Sequence, residues 1–488
     1  YIALVAVDYL EGDPETYVLP LSYATGKQAE EILRLWPHLV VARLFITDKK
    51  EDGILFDPFT VKAFGKALLE ALAHWNHRKG ADGGITMSLT RAFRQIVGPL
   101  EASPEPSVLK AEQSNTSLVY GNKYILKLFR RFQPGINPDL EIGRFLTEKG
   151  FRSIPPLAGA IEYRKDRQEP ATLAILQGFV QNQGDAWQYT LDMLAHSFEH
   201  VLTQQAGKQP PPTFCGSFLD LVDAEPPTEI FDCMGSYVES ARLLGQRTGE
   251  LHLALCAAGE HAPQFVPEPF SKLYQRSLYQ SMRTLTEKNL LLLGKRLKDL
   301  PEESLAMARS ILERKPEILG RFRALLDIKI TAMRMRCHGD YHLGQVLYTG
   351  NDFVIIDFEG EPARTISERR IKRSPLRDVA GMLRSFHYVV RTAILEPKTL
   401  VANRETLPYL DSWGDLWQMW VSAIFLKSYL KVCDQGDFLP QTRQELNVLL
   451  NAYLLEKAIY EMGYELNNRP EWIQIPLQGI QRLLDAEQ

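Results

Sequence analysis

The chain has 488 residues, of which 45% are hydrophobic, 10% aromatic and 24% charged. A single hydrophobic core stops growing at about 250–300 residues, so this length predicts several domains, and the composition excludes wholesale disorder. The 56 Lys and Arg residues against 60 Asp and Glu residues give a net charge of -4, which argues against nucleic acid and anionic membrane as partners.

The lengths of the apolar runs and the spacing of the cysteines indicate the compartment in which the protein occurs. No apolar run approaches the ~18–20 residues needed to cross a bilayer, and the five scattered cysteines form neither a disulfide framework nor a zinc-binding spacing. We therefore expect a soluble protein of the reducing cytoplasm. The chain begins with Tyr1 rather than Met, which suggests a piece of a longer protein.

Residues 1–97 predict a small α+β cap domain. Strand-like alternation occurs at residues 3–7, 18–22 and 39–46, and a helical pattern covers residues 60–75. A turn-rich stretch at residues 98–107 follows, with proline and glycine residues that neither a helix nor a strand can continue through. We place the first domain boundary there.

Residues 98–180 predict a β-rich lobe. Three short strands, at residues 108–113, 117–120 and 124–129, are joined by polar turns. A helix then begins at Asn137 or Pro138, and an apolar strand at residues 171–180 closes the region.

Residues 181–488 predict a mostly helical lobe. Amphipathic stretches cover approximately residues 189–204, 232–258, 285–299, 303–335, 413–434 and 444–466. They are interrupted around residues 337–378, where we expect the chemistry.

Within this interruption, three polar residues stand in a pattern suited to phosphoryl transfer. Asp340 and Gln345 lie on a glycine-containing loop, and a predicted hairpin returns Asp357 next to Gln345. Phosphoryl transfer needs a base for the acceptor hydroxyl and oxygen ligands for Mg²⁺. Asp340 is the candidate base, and Gln345 and Asp357 are the candidate metal ligands.

The β-rich lobe offers groups for the donor phosphates. Lys127 is a lone cation in an apolar strand, where it needs a carboxylate partner, and Glu141 in the following helix is the predicted counterion. The segment 113–117 joins two strands and can offer backbone N–H and hydroxyl groups to phosphate oxygens. Its candidate binding residues are Ser114, Asn115, Thr116 and Ser117.

These residues carry a resemblance to the bacterial maltokinase family, which is similar to aminoglycoside phosphotransferases. The matching segments extend over essentially the whole chain: Val18–Leu21, His338–Gln345, Asp357–Pro362, Ser367–Arg370, Lys372–Arg384, Glu456–Glu461 and Tyr464–Pro470. The resemblance implies an α+β, bilobal protein-kinase-like fold with a small N-terminal cap. It also implies transfer of the ATP γ-phosphoryl group, with Mg²⁺, to the anomeric hydroxyl of maltose. The product, maltose 1-phosphate, would feed α-glucan synthesis.

Further site residues are assigned through the resemblance alone. Gln177, Phe179 and Val180 would form the adenine-facing hinge. Residues on the acceptor side would be Asp340, His342, Glu359, Glu361, Arg373, Lys457, Glu461 and Arg469. Relatives of this family occur fused behind trehalose synthase, which would be a partner. The sequence departs from the wider kinase pattern at Gln345, where Asn is usual, and at Glu359, where Gly is usual.

Several of these residues also have structural interpretations. His338 and His342 could form a metal cluster of a hydrolase, although their loop is unlike a ligand-presenting helix. Lys127 could be a solvated edge-strand lysine. Glu461 and Arg469 could each belong to a surface ion pair.

Two further groups have interpretations in packing rather than in catalysis. Arg373, Arg377 and Asp378 could pin the segment after Asp357 rather than touch substrate, which is our preferred interpretation of Asp378. The apolar stripe on one predicted helix is more typical of core packing than of a sugar platform, and consists of Trp413, Trp417 and Trp420.

Two alternative functions remain open. A related kinase could act on another sugar or on an aminoglycoside, although the acidic residues that a cationic acceptor requires are few. A non-catalytic kinase-like module could instead regulate a fused or associated trehalose synthase.

Overall fold

The computed structural model describes eleven ranges of the chain: residues 1–10, 12–48, 50–74, 76–80, 82–97, 104–109, 115–165, 168–204, 218–257, 262–395 and 406–486. These residues form two compact units, Tyr1–Gln181 with Glu361–Arg370, and Asn182–Gly360 with Ile371–Gln488. Across the described ranges, no helix combines the length and apolar character that a membrane span requires.

The first unit contains most of the strands. In chain order they are β1 (Ile2–Val7), β2 (Glu15–Pro20), β3 (Ser22–Thr25), β4 (Val40–Ile46), β5 (Glu51–Phe56), β6 (His77–Gly80), β7 (Gly83–Leu89), β8 (Pro106–Val108), β9 (Asn115–Tyr120), β10 (Tyr124–Phe129), β11 (Arg131–Phe132), β12 (Leu157–Arg164) and β13 (Ala171–Gly178). The helices with them are α1 (Gly26–Leu35), α2 (Lys62–His74), α3 (Arg91–Val97), α4 (Pro138–Glu148) and, numbered by its place in the chain, α12 (Ile366–Arg369).

A seven-stranded antiparallel sheet in the order β6-β7-β12-β13-β10-β9-β8 organises this unit. The predicted cap is not separate from this sheet. Its strand β7 pairs with β12, for example Ser88 with Ala160, and β2 pairs with β11. The backbone hydrogen bonds of these pairs cross the predicted boundary at residue 97, which explains why residues 1–181 form one unit.

The helix α4 begins where the sequence predicts. The side chain of Asn137 accepts a hydrogen bond from the backbone N–H of Asp139, which satisfies one of the free donors of the first turn. Pro138 occupies the first turn, where its missing N–H costs nothing. The predicted start of this helix is therefore confirmed.

The second unit is helical, with two small antiparallel strand pairs. Its helices are α5 (Ala186–Gln204), α6 (Phe218–Val222), α7 (Thr228–Met234), α8 (Tyr237–Cys256), α9 (Lys272–Arg296), α10 (Glu302–Glu313), α11 (Lys315–Asp327), α13 (Leu376–Leu395), α14 (Leu407–Cys433), α15 (Arg443–Asn468) and α16 (Gln474–Asp485). The strand pairs are β14 (Glu268–Pro269) with β15 (Met333–Arg334), and β16 (Val346–Tyr348) with β17 (Phe353–Ile355).

Two sequence interpretations can be assessed in this unit. The helix predicted at residues 232–258 is interrupted, because Gly235 has a positive φ of 54° and separates α7 from α8. The tryptophan stripe on α14 is confirmed as core packing, since Trp413 and Trp417 are each 1% exposed and Trp420 is 6% exposed.

Candidate active site

The loop between β15 and β16 carries the candidate base, and a buried carboxylate holds the start of this loop. Asp378, near the start of α13, accepts hydrogen bonds from the backbone N–H groups of His338 (2.8 Å) and Gly339 (2.9 Å). His252 of α8 lies 3.2 Å from the same carboxylate. Burial would raise the pKa of Asp378, but the hydrogen bond and charge of His252 hold it below its ordinary value. These contacts support the pinning role of Asp378.

Asp340 follows on this loop and is half-buried. Its carboxylate oxygen Oδ1 lies 3.2 Å from Nζ of Lys457 on α15. Burial would raise the pKa of Asp340, but the charges of Lys457 and His342 and the hydrogen bond from Lys457 outweigh it and lower the pKa to about 2. Asp340 is thus an anion that can accept a hydrogen bond from a hydroxyl group.

The two histidines of the loop stabilise its conformation. The Nε2–H of His338 donates to the backbone carbonyl of Ile356, at 2.9 Å. In His342, Nδ1 accepts from the backbone N–H of Gly344, and burial lowers the pKa of the ring, which keeps it neutral at pH 7. Each side chain thus makes a hydrogen bond that stabilises the loop, which argues against the hydrolase metal cluster.

The hairpin brings the two candidate metal ligands together as predicted. Strands β16 and β17 pair in register, and the carboxamide Nε2 of Gln345 donates to Oδ2 of Asp357 at 2.9 Å. Asp357 has a φ of 64°, a left-handed conformation that costs about 1–2 kcal/mol for a residue with a Cβ. Such strain persists only where the surroundings enforce it, and it is typical of functional positions.

The chemistry of these two side chains fits a hard divalent cation. Because Nε2 of Gln345 faces Asp357, the carboxamide oxygen and the carboxylate oxygens are the ligand atoms that the pair offers. Mg²⁺ binds through one or two carboxylates and neutral oxygens, and keeps several waters. Gln345 and Asp357 could therefore hold Mg²⁺.

Lys127 lies on a central strand of the seven-stranded sheet, not on an edge. It pairs with Ser117 of β9 and Ile175 of β13, and it is 8% exposed. The Asp139 carboxylate, in the first turn of α4, lies 3.5 Å from its Nζ. This observation excludes the solvated edge-strand interpretation and identifies a counterion that is not among the predicted site residues.

Glu141, the predicted counterion, makes a different contact. It accepts two hydrogen bonds from Arg370, at 3.1 and 2.8 Å, in the segment 361–370 of the same unit. The assignment of Glu141 to Lys127 stays a prediction.

The segment predicted to contact phosphate is partly strand. Asn115 and Thr116 belong to β9, so the turn predicted at these two positions is wrong, whereas Ser117 lies in the strand as predicted; all three pair with β10 along the sheet. Thr116 accepts a hydrogen bond from Nε of Arg130, and Ser117 is buried. Ser114 lies outside the described residues.

The predicted hinge spans the end of β13, with Gln177 inside the strand and Phe179 and Val180 after it. Gln177 pairs with Ile125 of β10, and the backbone N–H of Phe179 donates to the carbonyl of Lys123 at 2.9 Å. Gln177, Phe179 and Val180 are all half-buried. Their contact with adenine stays a prediction.

Three residues assigned to the acceptor side lie on or just after α15. Lys457 contacts Asp340, as above, and Glu461 lies one helical turn further along, where Arg384 of α13 binds its Oε2 at 2.7 Å. Arg469 binds both oxygens of Glu465, so this ion pair lies within one stretch of chain.

Three other assignments follow the hairpin in the chain. Glu359 is half-buried in the second unit, whereas Glu361 is buried and begins the segment that belongs to the first unit. The backbone of Arg373 forms two hydrogen bonds with Met335, each 2.8 Å, shortly before Asp340 in the chain. For Arg373 this backbone bridge favours the pinning interpretation.

Arg384 is not among the predicted site residues. A signal is present in the sequence, because Arg384 lies in an otherwise apolar stretch of α13, and a charged residue on a buried helix face requires a partner. The sequence does not reveal that this partner is Glu461, 77 positions away.

Comparison with known proteins agrees with this fold. No protein-family model matches the chain. Two curated relatives are glucosamine kinases: that of Mycolicibacterium smegmatis is 22% identical over 430 residues, covering 85% of this chain and 92% of the relative, and that of Streptacidiphilus jiangxiensis is 20% identical over 408 residues, covering 80% and 76%.

A solved structure extends the similarity to nearly the whole chain. The structure of a glucosamine kinase in complex with glucosamine, ADP and inorganic phosphate has a TM-score of 0.62, at 16% sequence identity, covering 99% of this chain and 93% of that one. A second crystal form of a glucosamine kinase also has a TM-score of 0.62. The chain therefore has the predicted α+β, bilobal protein-kinase-like fold.

Proposed function

We propose that the protein is an ATP-dependent sugar kinase that phosphorylates maltose at its anomeric hydroxyl. The observation that carries the proposal is the pair of acidic groups on one loop and hairpin: Asp340, held by Lys457, and Asp357, held by Gln345. The similarity to glucosamine kinases supports a sugar as the acceptor class. The motifs shared with maltokinases favour maltose.

In the proposed reaction, the anomeric oxygen of maltose attacks the γ-phosphorus of ATP. A new P–O bond forms, the bond between the γ-phosphorus and the β,γ-bridging oxygen breaks, and ADP leaves. Asp340 accepts the hydroxyl proton. Because the pKa of Asp340 is about 2, it is a weak base, and its main contribution is to orient the hydroxyl in a loose transition state.

The nucleotide groups have separate roles. Lys127, fixed by Asp139, would bind donor phosphate oxygens. Gln345 and Asp357 would hold Mg²⁺, which when bound neutralises charge on the phosphates. The hinge residues Gln177, Phe179 and Val180 would face the adenine.

A second acceptor is favoured by a specific observation. The two curated relatives described above are glucosamine kinases, and each matches at least 80% of this chain. Glucosamine carries an ammonium group at neutral pH, which a carboxylate such as Glu461 could bind. Glucosamine is therefore the principal alternative to maltose.

Incubation with ATP, Mg²⁺ and one sugar at a time tests the proposal. The panel contains maltose, glucosamine, glucose, trehalose and kanamycin, and ³¹P NMR reads the product. An anomeric phosphate gives a doublet through coupling to one proton, whereas a phosphate on a primary hydroxyl gives a triplet. A maltose product whose phosphorus doublet is coupled to the anomeric proton supports the proposal. Turnover of glucosamine alone supports the alternative, and no turnover with any acceptor supports a non-catalytic module.

The resemblance also supports a reaction partner. Trehalose synthase, fused or separate, would supply maltose, and maltose 1-phosphate would be consumed by α-glucan synthesis. Copurification of the native chain with trehalose-to-maltose isomerase activity would support this partnership. Failure of the two activities to cofractionate, on one chain or in one complex, would argue against it.

A further inference from the structure

Three charged residues lie on one face of α15, and the first of them contacts the candidate base. Lys457, Glu461 and Glu465 follow each other at intervals of four positions, so they lie along one side of the helix. The first of them contacts Asp340 at 3.2 Å. Glu461 is therefore the next charged group along this face from the proposed reaction centre.

Glu461 and Glu465 differ in how their oxygens are used. Arg469 binds both oxygens of Glu465, and the hydroxyl of Tyr388 donates to one of them, so each oxygen of this carboxylate has a partner. Arg384 instead directs two nitrogens, Nε at 2.9 Å and Nη2 at 2.7 Å, to the same oxygen of Glu461, Oε2. Within the described part of the chain, no hydrogen bond is made to the other oxygen, Oε1.

Residues of α13 and α16 surround the Arg384 guanidinium and hold it in this position. Arg384 is 4% exposed, and its third nitrogen, Nη1, donates to Nδ1 of His387 at 3.2 Å. Its guanidinium lies 5.7 Å from the ring centre of Tyr388. On the remaining side, Gly479 of α16 leaves room for it, because a Cβ at this position would overlap the guanidinium.

We infer that Arg384 is a positioning residue for acceptor recognition: it fixes Oε2 of Glu461 so that Oε1 accepts a hydrogen bond from a hydroxyl or ammonium group of the sugar. This inference rests on the proposed sugar kinase function. Arg384 does not itself touch the sugar. Because both of its bonds go to one oxygen, it orients the carboxylate and leaves the other oxygen for a ligand donor.

The test is a double-mutant cycle with Arg384→Met, Glu461→Gln and both together. A hydrogen bond to a charged group is worth about 1.5–3 kcal/mol, so each single variant should raise the KM for the sugar about ten- to a hundredfold. The KM for ATP should stay unchanged. If Arg384 acts through Glu461, the double variant should lose no more than Glu461→Gln alone.

A matched control separates positioning from general damage. Arg391 lies two turns further along α13, is also buried, and pairs with Asp411 and Asp415 rather than with Glu461. Arg391→Met removes the same side chain from the same helix and should leave the sugar KM unchanged. Arg384→Lys should restore only part of the sugar affinity, because an ammonium group lacks the guanidinium fork.

The outcomes separate this inference from the proposed function. Additive losses in the double variant, or an equal rise in sugar KM for Arg391→Met, would overturn the role of Arg384 while the wild type remains active. Should Arg384→Met fail to fold, Gly479→Ala tests the same point, since it displaces the guanidinium and should raise the sugar KM. Wild-type protein without turnover on any sugar would overturn the proposed function and this inference with it.

Discussion

Replacing Lys457 by Met should destabilise the protein in a manner that depends on pH. The pKa of Asp340 is about 2, against 3.8 for an ordinary aspartate, although burial acts to raise it. One unit of pKa corresponds to about 1.4 kcal/mol, so the ionised state of Asp340 contributes about 2 kcal/mol to folding. Among the groups that lower this pKa, the charge of Lys457, 3.2 Å away, ranks first.

Removing Lys457 leaves burial as the dominant influence on Asp340. We expect its pKa to rise above 3.8 and the free energy of unfolding at pH 7 to fall by about 2 kcal/mol or more. Because the folded pKa of the wild type lies below the unfolded one, its contribution is fully present above about pH 4 and disappears as pH falls to about 2. The difference between wild type and Lys457→Met should therefore vanish at low pH.

Urea unfolding of both proteins at intervals from pH 7 to pH 2 measures this difference. Lys427→Met is the matched control, since Lys427 lies on α14 and forms an exposed ion pair with Glu225 at 3.0 Å. An exposed pair contributes about 0–1 kcal/mol, so the control should show a small effect. A loss for Lys457→Met that stays constant down to pH 2 would refute the coupling of Lys457 to Asp340.

Three further predictions follow from the two units. Asp340→Ala should lower kcat by roughly two to four orders of magnitude while ATP binding, measured by calorimetry, stays nearly intact, and near-native turnover would contradict its role as base. In steady-state kinetics, Lys127→Met should raise the KM for ATP and leave the KM for the sugar unchanged. Substitution of the exposed Lys66 by Met is the control and should change neither KM. A raised KM for the sugar with an unchanged KM for ATP would exclude a donor-phosphate role for Lys127. Asp378→Ala leaves two backbone N–H groups and His252 without their carboxylate, so the free energy of unfolding should fall by about 3–5 kcal/mol. The fall should be smaller for the control Asp352→Ala, which breaks a half-exposed ion pair with Arg247. Equal losses for these two variants would contradict the pinning role.

Local patterns predict the parts of the site that are formed by residues close in sequence. The hairpin β16–β17 brings Asp357 beside Gln345, and its turn residues and apolar alternation are visible in the chain. The start of α4 is predictable because a cap such as Asn137 acts on the next residues along. In both cases the interacting groups lie within about a dozen positions.

The counterion of Lys127 shows where such reasoning stops. Asp139 and Glu141 both lie in the first turn of α4, but they are two positions apart and project about 200° from each other around the helix. How near each carboxylate comes to Lys127 depends on how the helix is rotated against the sheet. That rotation is set by packing of the buried residues of α4 and not by any local signal, and the structure places Asp139 beside Lys127.

Long-range pairing limits the prediction of domains in the same way. The sequence pattern assigns β7 to a separate cap, because nothing in residues 83–89 indicates a partner seventy or more positions away. Strand pairing is specified by which faces become buried together, and a strand with one apolar face can join any sheet that offers a free edge. The turn-rich sequence of residues 98–107 predicts a domain boundary, but the sheet pairs strands from before and after this stretch.

Charged residues in apolar stretches allow some long-range contacts to be predicted from the sequence. Lys127, Arg384 and Arg391 each lie in predominantly apolar surroundings, and each has a carboxylate partner in the structure. Because an unpaired buried charge is too costly to persist, every such residue in a sequence predicts a partner of opposite sign, even when its identity is hidden. Lys127 is recognisable in this way from its strand alone. The same reasoning, applied to the apolar face of α13, singles out Arg384 and requires an acidic partner for it, which in the structure is Glu461.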